Sequence, residues 1–212
     1  MNSIVGQGWR VVAVVITAAL VLAPRAVRPP QRTTPLPGSL LAAGATLTYG
    51  SGGQEQAPWT IDSVHRDVSL GGRSGCTRIV LRTRPGQPAP SVRTACRGGD
   101  TLFAWNAATN AWRAERPLGA GMSLRVPQPS GAALEYTTAA VGDTTISGHR
   151  IAFVHTTILT TDPQGRPVRR LTERYAVSLA TALGGLFEVP DSAAASGWKE
   201  SQRFDLLRIS IP

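Results

Sequence analysis

The sequence predicts a mainly β protein, an antiparallel β domain behind an N-terminal hydrophobic segment and a Pro/Arg-rich linker. Three observations carry this. After residue 44 the apolar residues recur every second position, and no stretch of helical length keeps a 3.6-residue period. The alternating runs are short and separated by Gly and Pro turns, the pattern of many consecutive strands. Finally, His149–Glu188 reads as two long strands around the turn Asp162-Pro163-Gln164-Gly165, where proline presets φ and glycine returns the chain.

The chain opens as an export signal. Polar residues 1–8 and basic Arg10 precede an apolar run of 13 residues, Val11–Ala23, a signal-peptide length too short to span a bilayer. Val21 and Ala23 suit a cleavage site, whereas Pro24 opposes one, so residues 1–23 read as a signal peptide or a signal anchor. An anchor of this kind would be the only contact with a membrane. Residues 24–38, rich in Pro and Arg, lack the apolar side chains to pack and read as a disordered linker. The remainder, 39–212, reads as a single antiparallel β domain in a periplasmic or extracellular setting.

Within it, Ser39–Gly44 reads as one helical turn stopped by glycine. Strands follow at Ala45–Tyr49 and Pro58–Val64, the latter extended through Val68 and Leu70. Cys76 opens the next strand and Cys96 closes its partner, with Arg84–Pro90 as the loop between them. Antiparallel pairing of the two cysteines sets Val80 against Val92. In an exported chain two cysteines at this spacing read as one structural disulfide; a redox pair wants C-x-x-C, and zinc wants more ligands. Thr101–Trp105 and Ala111–Ala114 flank the turn Asn106–Asn110, which brings Trp105 opposite Trp112. Further strands are expected at Met122–Val126, Leu134–Ala140, Thr144–Ile146 and Ile151–Thr160. The last ones are Val168–Leu179, then Leu186–Val189 after a Gly184-Gly185 bend, and Arg203–Ile211, with Phe204, Leu206 and Arg208 on one face and Leu207 and Ile209 on the other.

The candidate ligand-binding residues lie on the long hairpin. Period-2 spacing puts Phe153 and His155 on one face of the outgoing strand, and Leu171, Glu173 and Tyr175 on one face of the returning strand. Glu173 is a carboxylate in an apolar row and needs a partner if buried. His155 or an arginine is expected to supply it.

Net charge is +9, but Arg10, Arg25, Arg28 and Arg32 precede the first acid, Glu55, so the rest carries +5. Cations such as Arg78, Arg82 and Arg93 are spread singly along strands, as solvent-facing residues would be, and not clustered beside aromatics as nucleic-acid binding demands. No G-x-S-x-G or H-E-x-x-H motif occurs, and His65, His149 and His155 are scattered. A catalytic site, a metal site and a cofactor are therefore not expected.

Gly44-Ala45-Thr46-Leu47-Thr48-Tyr49, the stretch Gly142–Ile151 and the closing Glu173-Arg174-Tyr175 with Gly184–Glu188 resemble exported bacterial β-sheet domains. These are the TapB-like group and, more distantly, the outer-membrane lipoprotein carriers LolA and LolB. The resemblance implies a curved antiparallel sheet, a half-barrel or open-barrel meander, whose concave face can hold acyl chains. The expected function is a non-enzymatic envelope domain that binds an apolar ligand or a protein partner on a curved sheet. An exported hydrolase whose site assembles only in three dimensions, or a purely structural tethered module, are the alternatives.

Overall fold

The computed structural model describes residues 35–82 and 90–212, within the compact unit Thr33–Pro212. The apolar leader, residues 24–34 of the linker and most of the loop expected at 84–90 lie outside the described residues. The strands run in chain order as β1 Thr46–Ser51, β2 Gln54–Glu55, β3 Trp59–Leu70 and β4 Arg73–Arg82. Next come β5 Ser91–Gly98, β6 Thr101–Asn106, β7 Ala111–Pro117 and β8 Ser123–Pro127. The long strands complete the order: β9 Ala133–Ile146, β10 His149–Thr161, β11 Pro167–Ala176, β12 Thr181–Pro190 and β13 Trp198–Ser210.

All thirteen belong to one antiparallel sheet, ordered β7-β6-β5-β4-β3-β1-β13-β12-β11-β10-β9-β8, with β2 beside β1. Two meanders, β3 to β7 and β8 to β13, are joined because the first strand sits between β3 and β13. The two ends of the path, β7 and β8, are neighbours in sequence, so the segment linking them draws the ends of the sheet together. Gly121 N–H donates to Thr138 O at 2.7 Å, Thr138 N–H to Met122 O at 2.9 Å, and Thr138 Oγ1 to Pro117 O at 3.2 Å. The result is the expected mainly β fold, curled into a nearly closed antiparallel barrel. No helix among the described residues is long and apolar enough to cross a membrane.

Several boundaries differ from expectation for identifiable reasons. Ser39–Gly44 forms turns without a helix. Leu134–Ala140 and Thr144–Ile146 are one strand, β9, paired along β10 with a bulge opposite His155 and Thr156. β11 stops at Ala176; Val177–Leu179 makes a 3-10 turn, and Ala180 reverses the chain in the left-handed region at φ 50°. Gly184 and Gly185 are therefore not a bend. They sit inside β12, where a side chain at Gly184 would collide with Asp205 Oδ1 and one at Gly185 would meet the Phe204 ring at 2.9 Å.

At β13, Leu206 and Ile209 are buried while Leu207 and Arg208 are exposed, which departs from the alternation expected there. The cause is a bulge at Leu207, the extra residue of β13 opposite Thr48 and Tyr49 of β1, which shifts the side-chain phase by one.

The main core joins Leu47 and Tyr49 to Ile61, Ile79, Ile151, Leu183, Leu206 and Ile209, and so lies where the two meanders meet on β1. On β4 and β5 the pairing runs Thr77↔Ala95 to Val80↔Val92, the expected register. Cys76 and Cys96, both buried with Cα atoms 4.4 Å apart, form the expected disulfide. Trp105 and Trp112 pair edge-on at 5.3 Å, and Trp112 Nε1 donates to Leu70 O at 2.9 Å. Both indoles are thereby used in packing the β3–β4 hairpin tip onto β6 and β7.

Replacing Cys76 and Cys96 together by Ala is expected to lower unfolding free energy by about 3 kcal/mol, the chain-entropy value for a loop of this length. Urea denaturation measures it, with an unchanged midpoint as the contrary result.

Candidate charge cluster inside the barrel

The pairing register assigns faces. Thr138, Thr156, Glu173, Gly185 and Phe204 lie opposite one another in turn across β9 to β13, so they form one row on one face. Tyr136, Ile158, Leu171 and Phe187 form the next row, and Val154 with Tyr175 the row on the other side. This face is the inside of the barrel, because side chains from β5 and β7, on the far arm of the sheet, reach it.

Four charges and a phenol meet there. Arg116 of β7 donates through Nη1 to Glu173 Oε1 of β11. Its guanidinium carbon lies 3.6 Å from the centre of the Tyr175 ring, a close cation–π contact. Arg93 of β5 donates from Nη2 to Glu115 Oε1 at 2.5 Å and to Tyr175 Oη at 2.8 Å, and from Nη1 to Ala180 O at 2.8 Å. Arg116 and Glu173 are buried, and Arg93 and Glu115 are partly so.

Adjacent strand residues normally point to opposite faces, yet Glu115 and Arg116 both join this cluster. A bulge in β7 explains it: Phe103 pairs with Ala114 and Leu102 with Arg116, leaving Glu115 as the extra residue. Pro117 then ends the strand.

The electrostatics derive from this packing. Burial opposes the charge on Arg116, but Glu173, Tyr175 and Glu115 outweigh it and hold its pKa above the usual arginine value. Arg93 is held up likewise, against its burial, by Tyr175 and Glu115. Burial raises the Tyr175 pKa, with Arg93 working against it, and also raises that of Tyr136. Tyr49, in the main core, is pushed up to about 12, chiefly by burial; its hydroxyl contacts Thr181 Oγ1 at 2.8 Å and donates to Ala182 O at 2.9 Å. The two arginines thus stay charged and the phenols stay protonated.

Of the five residues expected to form one ligand site, His155 and Glu173 line one concavity together, while Phe153, Leu171 and Tyr175 lie elsewhere. Thr156, not His155, lies opposite Glu173, and His155 lies opposite Arg174 on the outer face. Of the two partners expected for Glu173, His155 or an arginine, the structure has the arginine, Arg116, because β10 enters the pair with the other parity. Phe153 lies two residues from His155 on β10, packs beside the main core and has the Arg174 guanidinium 6.0 Å from its ring centre. Leu171 borders the cluster of Val126, Tyr136 and Ile158, while Tyr175 packs with Val154, Leu102 and Leu118. Arg93, expected to face solvent, is instead half-buried against Tyr175. Glu115 and Arg116 carry no sequence signature of their own; the one signal pointing to them is the need of Glu173 for a cation.

Four concavities of the described residues lie away from this cluster's apolar flanks. One of about 280 Å³ sits on the outer face over Gly184 and Gly185, and one of about 560 Å³ lies beside the β1–β2 loop. A third, of about 380 Å³, adjoins the turn at Gly71-Gly72. The fourth, of about 50 Å³, is an internal gap beside Trp59 and Arg93. None of the four is lined by Phe153, Leu171 or Tyr175. Among the described residues no three His, Cys, Asp or Glu side chains are placed to hold a metal ion.

No family model, curated protein or solved structure matches this chain.

Arg116→Met alone is expected to cost about 3–5 kcal/mol, because it leaves Glu173 buried and unpaired; Glu173→Leu costs less, since Arg116 keeps Glu115 at 3.9 Å, and the double replacement recovers most of the loss. Additive losses in a denaturation cycle would contradict the pairing. The phenols give a second expectation. All three tyrosines have raised values, so the native protein is expected to show less phenolate absorbance near pH 10 than the unfolded chain. The folded state holds protons that the unfolded state has released, so stability is full below pH 10 and falls as pH rises toward about 12. Equal phenolate absorbance in the folded and unfolded chain at pH 10 would refute this.

Proposed function

We propose that this chain is a non-enzymatic, exported cell-envelope β domain that works by binding a protein partner on the outside of its curved sheet. The observation that carries the reading is the use of the inner charges. Each carboxylate of the cluster holds a guanidinium, Glu173 that of Arg116 and Glu115 that of Arg93, which supports a structural over a catalytic use. None of the four concavities described above is lined by Leu171 or Tyr175, which leaves less support for acyl-chain carriage of the kind the LolA and LolB resemblance implies. The outer face, by contrast, offers two neighbouring concavities of ligand size. The leader Val11–Ala23 supports export, and a disulfide suits an oxidising compartment.

A photo-cross-linking residue at Thr172, which lines the outer concavity, is expected to capture an envelope protein in the native host. The same residue in place of Val92, exposed on β5, is expected not to. Equal capture at both positions would count against the outer face. Uptake of a fluorescent fatty acid by delipidated protein, abolished by Leu171→Arg, would instead favour carriage inside.

A further inference from the structure

The outer row that opposes the inner charge cluster runs His155, Arg174, Gly184, Asp205 and Gly50, across β10, β11, β12, β13 and β1. Five neighbouring strands span roughly 19 Å at about 4.8 Å each. Gly184 gives the row its depth. With no side chain there, Arg174 Nη2 reaches across to Asp205 Oδ1 at 2.9 Å, and the ion pair forms the floor of the first concavity. The second concavity continues from the first, since Arg203 and Asp205 line both. The two therefore adjoin at Arg203 and Asp205, and together they make a groove from His155 on β10 to Gly52-Gly53, where added side chains would meet open space.

The groove is polarised. At the β10–β11 end stand the imidazole of His155 and the guanidinium of Arg174. At the β1–β2 end stand Glu55 and Glu200. Arg203 and Asp205 lie between. The existing pairs, Arg174–Asp205, Arg203–Glu200 and Arg208–Glu55, join side chains that are each about half exposed or more. Exposed pairs of this kind contribute little to stability, about 0–1 kcal/mol, so a ligand can displace them at small cost. Leu186 and Leu207 add apolar contact, one at each end.

We infer that this groove takes an extended polypeptide segment bearing charges of both signs. Its acidic group lies on Arg174 and His155, its basic group on Glu55 and Glu200, about five residues apart at ~3.3 Å per residue. The inference rests on the outer face being the binding face, and it adds the chemistry of the partner. A single-sign ligand is disfavoured because each end of the groove repels one sign. The segment crosses the strands and leaves the ladder hydrogen bonds intact, so it binds through side chains and not as an added strand.

Three capped six-residue peptides test this against the folded protein by amide NMR at low salt: one with Glu first and Lys last, one all acidic, one all basic. The mixed peptide is expected to move the amides of His155, Gly184 and Gly53 saturably. A nitroxide on its acidic end should broaden His155 and spare Gly53. Arg174→Gln and Glu200→Gln should each weaken it about two- to five-fold, while single-sign peptides bind no better than the mixed peptide binds those variants. Equal binding of all three peptides, or broadening at Gly53 from the acidic end, overturns the assignment. If no peptide binds, yet capture at Thr172 persists and depends on Arg174, the outer-face reading stands and the peptide class falls. If no peptide binds and Thr172 captures no more than Val92, both fall.

Discussion

The barrel depends on a contact between its two arms, the ion pair of Arg116 and Glu173 inside the sheet. Taking a guanidinium and a carboxylate out of water costs several kcal/mol for each ion, which their mutual attraction offsets only when geometry is good. Here the geometry is supplied by a bulge in β7 that turns Glu115 and Arg116 inward together, and by the Tyr175 ring beneath the guanidinium. Arg116 Nε and Glu115 Oε2 have no direct partner among the described residues, so the network is not fully satisfied. Such a cluster is a modest net stabiliser and a strong specifier: an arm that closed one residue out of register would bury bare charge.

Closure and the core divide the labour along the barrel. At β1, where the first strand joins β3 to β13, the packing is mainly apolar, and the bulge at Leu207 returns Ile209 to the interior. On the opposite side, where β7 and β8 approach without a shared ladder, Thr138 contributes backbone and hydroxyl hydrogen bonds at one point, and the charged layer bridges the middle. The same register that turns Glu173 inward turns Arg174 outward over Gly184. One strand, β11, thereby serves both the closing contact and the groove on the outer surface.

Much of this architecture is legible in the residues. Strand after strand obeys two-residue alternation, and Cys76 with Cys96 set the β4–β5 register correctly down to Val80 against Val92. Glu173 in an apolar row signals a buried partner. Phase is not legible. Bulges in β7, β9, β12 and β13 each change the parity of the residues after them, and period-2 counting has no term for an inserted residue. Facing strands also carry no mark of which parity they share, so counting alone leaves His155 a candidate neighbour of Glu173, and Arg93 a surface cation. Gly184 and Gly185 read as a bend because glycine usually marks one; here the requirement comes from an ion pair and an aromatic ring crossing over a strand. Long-range pairs such as Arg116 with Glu173, 57 residues apart, are set by curvature of the whole sheet and leave no local pattern.

Hydrogen exchange of the folded protein, with and without Arg116→Met, tests most directly whether this contact holds the arms together. The predicted result is a selective loss of amide protection along β5 to β7 and at Gly121 and Thr138, with β10 to β12 keeping theirs. Protection that falls uniformly over the sheet, or does not fall at all, would contradict a barrel closed by this ion pair.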